Sequence, residues 1–364
     1  MNRMPLRLLC RLLGVVLAFV AVPASACTVT KTREAAIGSY SQRAVQQRAV
    51  PALRTFAGLQ CPPTLLVLLG TKALRGTFTS ANAAGSTTAA LRLVRSDGQA
   101  AVAYTASAGP DGTAPFAQGK TVDYAQNKLL DVLGLLGGDT VALPIFVTPA
   151  ATSLPPVGVY KDTITLAWDW HLCSLVDAPV VGCVGELDEG IGKTVLTVTL
   201  TVTEFRATLS MTSATTWDPV HETRNPRDLP ESRRAVSVAF GNPDIVPLES
   251  GTIDIVVPTP TGTILALDGD KATPGPAIRL VQGSTSSGLA ASYNGPTDPS
   301  DDVEFSTSPP SVPADKRDWS YLPAGDAASE VAVTFVRVRA RGAMAARSSF
   351  AARVPYRIPP PPSN

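Results

Sequence analysis

Thr163-Ile164-Thr165-Leu166-Ala167-Trp168-Asp169-Trp170 alternates without a break. Ile164, Leu166, Trp168 and Trp170 point one way, and Thr163, Thr165, Ala167 and Asp169 the other. A period of two belongs to a strand buried on one face, and the β-branched and aromatic content agrees. Leu196, Val198, Leu200 and Val202 alternate with Thr197, Thr199, Thr201 and Thr203 in the same manner. Working outward from these two runs, further strands are expected at residues 65–69, 89–94, 101–105, 235–240, 251–257 and 331–341. In the last of them the apolar phase shifts between Phe335 and Val336, which predicts a β-bulge. Asp97-Gly98, Asp111-Gly112, Asn294-Gly295 and many prolines mark the turns between runs. Residues 124–136 are the one helix candidate of note, short and ended by glycine. Many short strands joined by Gly/Pro turns predict an all-β protein of two antiparallel immunoglobulin-like sandwiches.

Composition narrows the function. Of 364 residues 17% are charged, below the usual share of about 25%. Lys+Arg 31 against Asp+Glu 30 provides no field to attract a polyanion, which removes the main driving force for nucleic-acid binding. Two His and five Cys leave little for a metal centre or imidazole catalysis. An enzyme is not expected, nor a cofactor.

The first 26 residues read as a signal peptide. Arg3, Arg7 and Arg11 precede the apolar run 12–22, Pro23 breaks it, and Ala24-Ser25-Ala26 has the small-x-small pattern of a cleavage site. The run is shorter than the ~20 residues a membrane span needs, and no later segment is long and apolar enough. The chain is therefore expected to be exported, from the periplasm to the cell surface or beyond. Loss of three Arg takes the net charge from +1 to −2.

Cleavage after Ala26 discards Cys10 and leaves Cys27, Cys61, Cys173 and Cys183. Four cysteines in an exported chain allow three pairings. Neighbours, Cys27–Cys61 and Cys173–Cys183, are expected to pair, since all four then lie in one domain. Each bridge should add ~3–4 kcal/mol through loop entropy. A rival reading makes Cys27 a lipidated first residue. It is disfavoured because position −3 is Ala24 and Cys61 would be orphaned. A domain boundary is expected near 204–216, because all mature cysteines precede it and 20 of the 32 prolines follow it. The division is then 27–204, 205–358 and a proline-rich tail, 359–364, read as disordered rather than as an ordered polyproline helix.

Several candidate sites have ordinary structural readings. Trp168 and Trp170 share a face with Ile164 and Leu166, which favours core over a sugar-stacking platform. His171 beside Cys173 lacks a partner at zinc spacing, and His221-Glu222 is not followed by a second His. The Gly283-Ser284-Thr285-Ser286-Ser287-Gly288 stretch lacks the G-x-S-x-G of a nucleophile elbow and reads as a turn. Asp298, Asp301 and Asp302 lack the ligand spacing of a calcium loop. Arg337, Arg339 and Arg341 share a strand face, read as solvated or edge-protecting, with an anionic surface ligand as the sharper alternative. The apolar residues 129–136 and 143–146 are read as core filling rather than as an exposed sticky patch.

Gly158-Val159-Tyr160-Lys161-Asp162-Thr163-Ile164-Thr165-Leu166 carries a family resemblance. With Cys27-Thr28-Val29, Ile37-Gly38-Ser39-Tyr40, Cys61, Tyr124, residues 129–138, Leu143-Pro144 and the later Cys173 and Cys183, residues 27–204 resemble the spore coat protein U domain of archaic chaperone–usher pilus subunits. Gly158, Tyr160, Asp162 and Thr163 look like that family's G-x-Y-x-D-T strand. After Thr203 the pattern departs, for Glu204-Phe205-Arg206 follows and no Cys recurs. Residues 205–358 instead resemble a repeat-type domain of bacterial surface proteins, through Asp218-Pro219-Val220, Asn225-Pro226, Leu229-Pro230, Gly275-Pro276, Ser287-Gly288-Leu289 and Asp301-Asp302-Val303-Glu304-Phe305-Ser306.

The first resemblance implies a sandwich missing one strand, filled by a donor strand from a neighbouring subunit. It also implies a periplasmic chaperone and an outer-membrane usher as partners, because an open edge aggregates if left bare. With Cys27 as the first mature residue there is nothing to donate, so a tip-type subunit serving attachment and biofilm formation is expected. The alternative is a self-contained secreted or cell-surface ligand-binding module outside any pilus. Residues 194–203 separate the two: if they close the first sandwich from within, self-sufficiency gains.

Overall fold

The computed structural model describes residues 26–66, 72–84, 90–126, 129, 140–178 and 182–361. The expected signal peptide and most of the 124–136 segment lie outside the described residues. The chain divides into two compact units, Met1–Thr203 and Glu204–Asn364. Both are built of strands. Among the described residues no helix is long and apolar enough to cross a membrane.

In the first unit the strands are β1 (Thr28–Val29), β2 (Thr32–Ser41), β3 (Leu53–Cys61), β4 (Lys72–Ser80), β5 (Arg92–Arg95), β6 (Ala101–Ser107) and β7 (Pro115–Phe116). They continue with β8 (Thr121–Asp123), β9 (Val141–Pro149), β10 (Gly158–Cys173), β11 (Val176–Ala178), β12 (Gly182–Val184) and β13 (Leu187–Thr203). One five-residue helix, α1 (Gln42–Gln46), turns β2 toward β3; the Ser41 hydroxyl caps it by accepting from the Ala44 amide. The main sheet runs β1-β3-β9-β6-β5-β10-β13-β2, with β4 and β8 continuing from β10 and β7 from β6. It closes into a sandwich because β6 changes partner midway: Val102 and Ala103 pair with β5, whereas residues 104–107 pair with β9. Both decisive sequence runs lie at its centre. β10 pairs antiparallel with β13 from Gly158↔Val202 to Cys173↔Leu187.

Ile164, Leu166, Leu196, Val198 and Leu200 are fully buried, and Trp168 is 2% exposed. A chain of rings extends this core, Phe78 on Phe116 at 5.3 Å and Tyr124 against Trp168 at 5.8 Å. Two indoles fit in strands this closely spaced because glycines face them. Trp168 stands between Gly76 and Gly192, and Trp170 opposite Gly190. A Cβ on Gly190 would lie 2.5 Å from the Trp170 ring.

The second unit contains β14 (Thr208–Trp217), β15 (Arg233–Asn242), β16 (Asp254–Pro258), β17 (Ile264–Leu265), β18 (Arg279–Gln282), β19 (Val303–Ser306), β20 (Phe335–Arg339) and β21 (Ser348–Arg357). A helix, α2 (Ala327–Val331), is capped by the Asp326 carboxylate. One sheet runs β14-β15-β21-β17 with β18 also on β21; the other runs β16-β20-β19. Val236, Phe350 and Val354 of the first pack with Ile255, Val257, Phe305 and Val336 of the second.

Six sequence expectations need correction. Residues 65–69 are not a strand: Pro63–Leu66 is a 3-10 turn, which fits the missing N–H and fixed φ of Pro63, and 67–69 lie outside the described residues. The strands expected at 89–94 and 251–257 start later, at Arg92 and Asp254. The strand at 331–341 shrinks to Phe335–Arg339, since Val331 ends α2. It has no bulge, because Phe335 and Val336 pair in unbroken register with Ser306 and Phe305. Phe335 is apolar on the outer face because the Arg317 guanidinium lies 3.6 Å over its ring. One pairing is also not antiparallel: β13 runs parallel to β2, from Val195↔Thr32 to Thr203↔Ser41.

Candidate functional site: the central strand and its far end

β10 carries the four motif residues, and each has a physical task. Gly158 has φ +150°, and a Cβ there would meet the Arg95 side chain at 2.7 Å. Tyr160 is buried, and its hydroxyl donates to the Pro156 carbonyl at 2.6 Å. Thr163 faces outward opposite Thr197 of β13. Asp162 is the unusual member, because the alternation turns it inward beside Tyr160 and Ile164. It is buried and pairs with no cation among the described residues, and it accepts from the Ser80 hydroxyl (2.6 Å), the Tyr104 hydroxyl (2.6 Å) and the Asn82 amide (3.3 Å). Burial and the Asp162 carboxylate push the Tyr104 hydroxyl far above its ordinary pKa. Asp162 therefore ties β10 to the end of β4, to the turn after it and to β6. Sequence reasoning placed Asp162 on a strand but missed its partners, which lie 58 to 82 residues away.

The disulfides join Cys27 to Cys61 and Cys173 to Cys183, as the neighbour pairing requires. The Cys27 sulfur is thus in a disulfide, and its amide donates to Asp188 of β13. Cys173–Cys183 staples the β11–β12 hairpin to the far end of β10. There His171 bridges two carboxylates, Nε2 to Asp177 at 2.8 Å and Nδ1 to Glu189 at 3.1 Å. The Asp177 hydrogen bond raises the His171 pKa above 6.5, burial opposes this, and Glu189 adds to it. A raised folded pKa means that the clasp is at full strength below the unfolded value and is lost as pH rises through the folded one. The imidazole is 38% exposed, so solvent screens the effect and a small change is expected. A proton NMR titration should place His171 above 6.5, and His171→Gln should flatten the melting temperature of the first unit between pH 5 and 8. A His171 titrating at or below 6.5 would show that the carboxylates do not hold the ring.

The same end exposes apolar side chains. Leu175, Val184 and Leu187 are about half exposed, and Ile191 is 83% exposed on the outer face of β13. By contrast, Leu143 and Ile145 are buried in β9, so residues 143–146 mostly fill the sandwich. Leu129 is also buried, and 130–136 lie outside the described residues.

The candidates of the second unit organise loops. Asp218 is fully buried; burial raises its pKa, but amides of His221, Arg227 and Val220 and the His221 ring outweigh it and hold the group well below the ordinary range. Gln282 Oε1 gathers the Ser287 amide and hydroxyl and the Ser286 hydroxyl, which shapes the serine-rich turn. Asp298 and Asp301 accept from Ser300, Asn294 and Val303, and Asp302 from Ser292. Among the described residues no group of three His, Cys, Asp or Glu is placed to hold a metal ion. Arg337 and Arg339 of the central strand β20 share Glu304, and Arg341 just beyond it pairs with Asp302 at 2.9 Å, so each of the three guanidiniums meets a carboxylate.

No curated protein matches the chain. Among solved structures it is similar to a chain of the CsuC–CsuE chaperone–tip adhesion subunit pre-assembly complex from archaic chaperone–usher Csu pili of Acinetobacter baumannii. That match has 12% identity, covers 90% of this chain and 94% of that one, and has a TM-score of 0.38. CfaE, the adhesive subunit of CFA/I fimbria of enterotoxigenic Escherichia coli, matches at 13% identity over 49% of each chain, with a TM-score of 0.26. A putative membrane-anchored protein of Corynebacterium diphtheriae matches at 10% identity over 94% of this chain and 52% of that one, with a TM-score of 0.21. The family model of the Spore Coat Protein U domain matches residues 14–167, ending within β10. The matched residues include the Cys27–Cys61 bridge and Gly158, Tyr160, Asp162 and Thr163 of the central strand, so over this span the first unit is similar to the Spore Coat Protein U domain.

Proposed function

We propose that this chain is an exported structural and adhesive subunit of a chaperone–usher pilus, of the tip type, serving surface attachment and biofilm formation. The Spore Coat Protein U family match over residues 14–167 carries the reading. The family match ends at residue 167, and β13 follows it, filling the place between β10 and β2 from within the same chain. Leu196, Val198, Leu200 and Val202 supply the buried side chains that a donor strand would otherwise bring. A sandwich closed in this way accepts nothing from a neighbour, so it suits the end of an assembly, with its apolar far end free to meet a surface. A periplasmic chaperone, an outer-membrane usher and a neighbouring subunit would then engage the second unit. No catalytic step is assigned to any residue.

Periplasmic expression of residues 27–364 and 27–203, each with and without a pilus chaperone, tests the reading. Residues 27–203 should be soluble and protease-resistant alone, whereas 27–364 should gain yield from the chaperone. Leu187→Lys with Ile191→Lys should lower attachment to an apolar surface several-fold without lowering export. The closed first sandwich also favours a self-contained surface module. That reading prevails if 27–364 is equally soluble without a chaperone.

A further inference from the structure

The second unit protects every sheet edge but one. The three-stranded sheet ends in β16, five residues with Asp254 and Pro258, and in β19, four residues with Glu304. At the far side of the five-stranded sheet, β17 and β18 are two and four residues long. Short length, charge and proline are the usual devices that stop an edge from recruiting another strand. β14 has none of them. Its ten residues, Thr208-Leu209-Ser210-Met211-Thr212-Ser213-Ala214-Thr215-Thr216-Trp217, contain no charge and no proline. It pairs only with β15, and its first seven residues are exposed.

The exposed residues are not uniformly polar. Leu209 and Met211 lie opposite Phe240 and Val238, so they share the face that continues into the core. They are nevertheless 68% and 62% exposed. An uncovered apolar strip on an open edge gains from a strand that pairs with the edge and extends the strip.

We infer that β14 is the edge through which two copies of this chain pair, antiparallel about a two-fold axis near Ser210. The occupant follows from the sequence of the strand. In the register centred on Ser210, Thr208–Thr212 of one copy meet Thr212–Thr208 of the other, and none of these residues is charged. Centring on Ser210 sets Leu209 of each copy opposite Met211 of the other, on one face of a continuous sheet. The four side chains join the Val238 and Phe240 rows of the two units. A strand pair with two large apolar residues per copy lies at the low end of interface sizes, below ~1,200 Å², so the dimer is weak and concentration-dependent.

Sedimentation velocity on residues 27–364, from about 1 to 200 µM, tests this, with dissociation expected in the roughly 10–100 µM range. Leu209→Lys with Met211→Lys should weaken the dimer at least ten-fold while unfolding of the second unit stays unchanged, since both side chains are exposed. Ser210→Cys should give a covalent dimer under mild oxidation and Ser250→Cys, at another exposed site, should not. A wild-type chain that stays monomeric throughout overturns the inference and leaves the edge to a strand of a different protein. A dimer indifferent to the two lysines overturns it as well.

Discussion

Replacing Asp162 by alanine should lower the stability of the first unit by about 4 kcal/mol. The carboxylate gathers the Ser80 hydroxyl, the Tyr104 hydroxyl and the Asn82 amide. Removing it leaves these donors facing an apolar gap, at about 1–3 kcal/mol for each buried group that finds no new partner. The hydroxyls can rotate toward other acceptors, which holds the sum to the middle of that range. For a unit of this size the midpoint of thermal unfolding should fall by about 8–16 °C. Asp162→Asn keeps the shape but turns an amide N–H toward existing donors, so about half the loss is expected. Calorimetry on residues 27–364 reads both variants in the transition of the first unit. A loss below about 1 kcal/mol would mean that the three donors are satisfied without Asp162.

Gly58→Ala should cost about as much, by a different route. Gly58 has φ +108°, and a Cβ there would stand 2.1 Å from the Thr194 hydroxyl and 2.4 Å from its methyl. Thr194 cannot withdraw, because it is fully buried and its hydroxyl accepts from the Trp168 indole at 3.1 Å. The strained backbone contributes about 1–3 kcal/mol, and forcing an atom into a packed core another 1–3, so about 4 is expected. Gly98→Ala separates the two contributions. Gly98 also has positive φ, +75°, but nothing lies within 4 Å of its added Cβ. It should cost about 1 kcal/mol. Equal losses at both positions would show that backbone strain alone is at work.

What could be read from the sequence depended on distance along the chain. The alternation in 163–170 and 194–203 is local, and both runs became long strands on one core. The disulfide pairing was also legible, because each bridge closes a short loop within one unit. Asp162 gave a signal, a charged side chain at an inward position of a strand, but nothing nearby names Ser80, Asn82 or Tyr104 as its partners. Gly190 and Gly192 look like weak points in a strand until the cross-strand register sets them against Trp170 and Trp168. Phe335 misled for a similar reason: an apolar residue out of phase suggests a bulge unless Arg317 is known to cover it. At the far end, His171 beside Cys173 looked partnerless because its carboxylates arrive from β11 and β13.

The course of β13 has a mechanical consequence. A pull that holds the far end of the first unit and draws on the chain where it leaves, at Thr203, runs along the axis of β13. That strand is bonded on one side to β10 over its whole length and on the other to β2. Tension therefore loads both ladders in shear, so their hydrogen bonds resist together rather than opening one by one as in a peeled hairpin. β2 adds to this because the Cys27–Cys61 bridge anchors its approach to β3. The first unit is built to bear force along its longest strand.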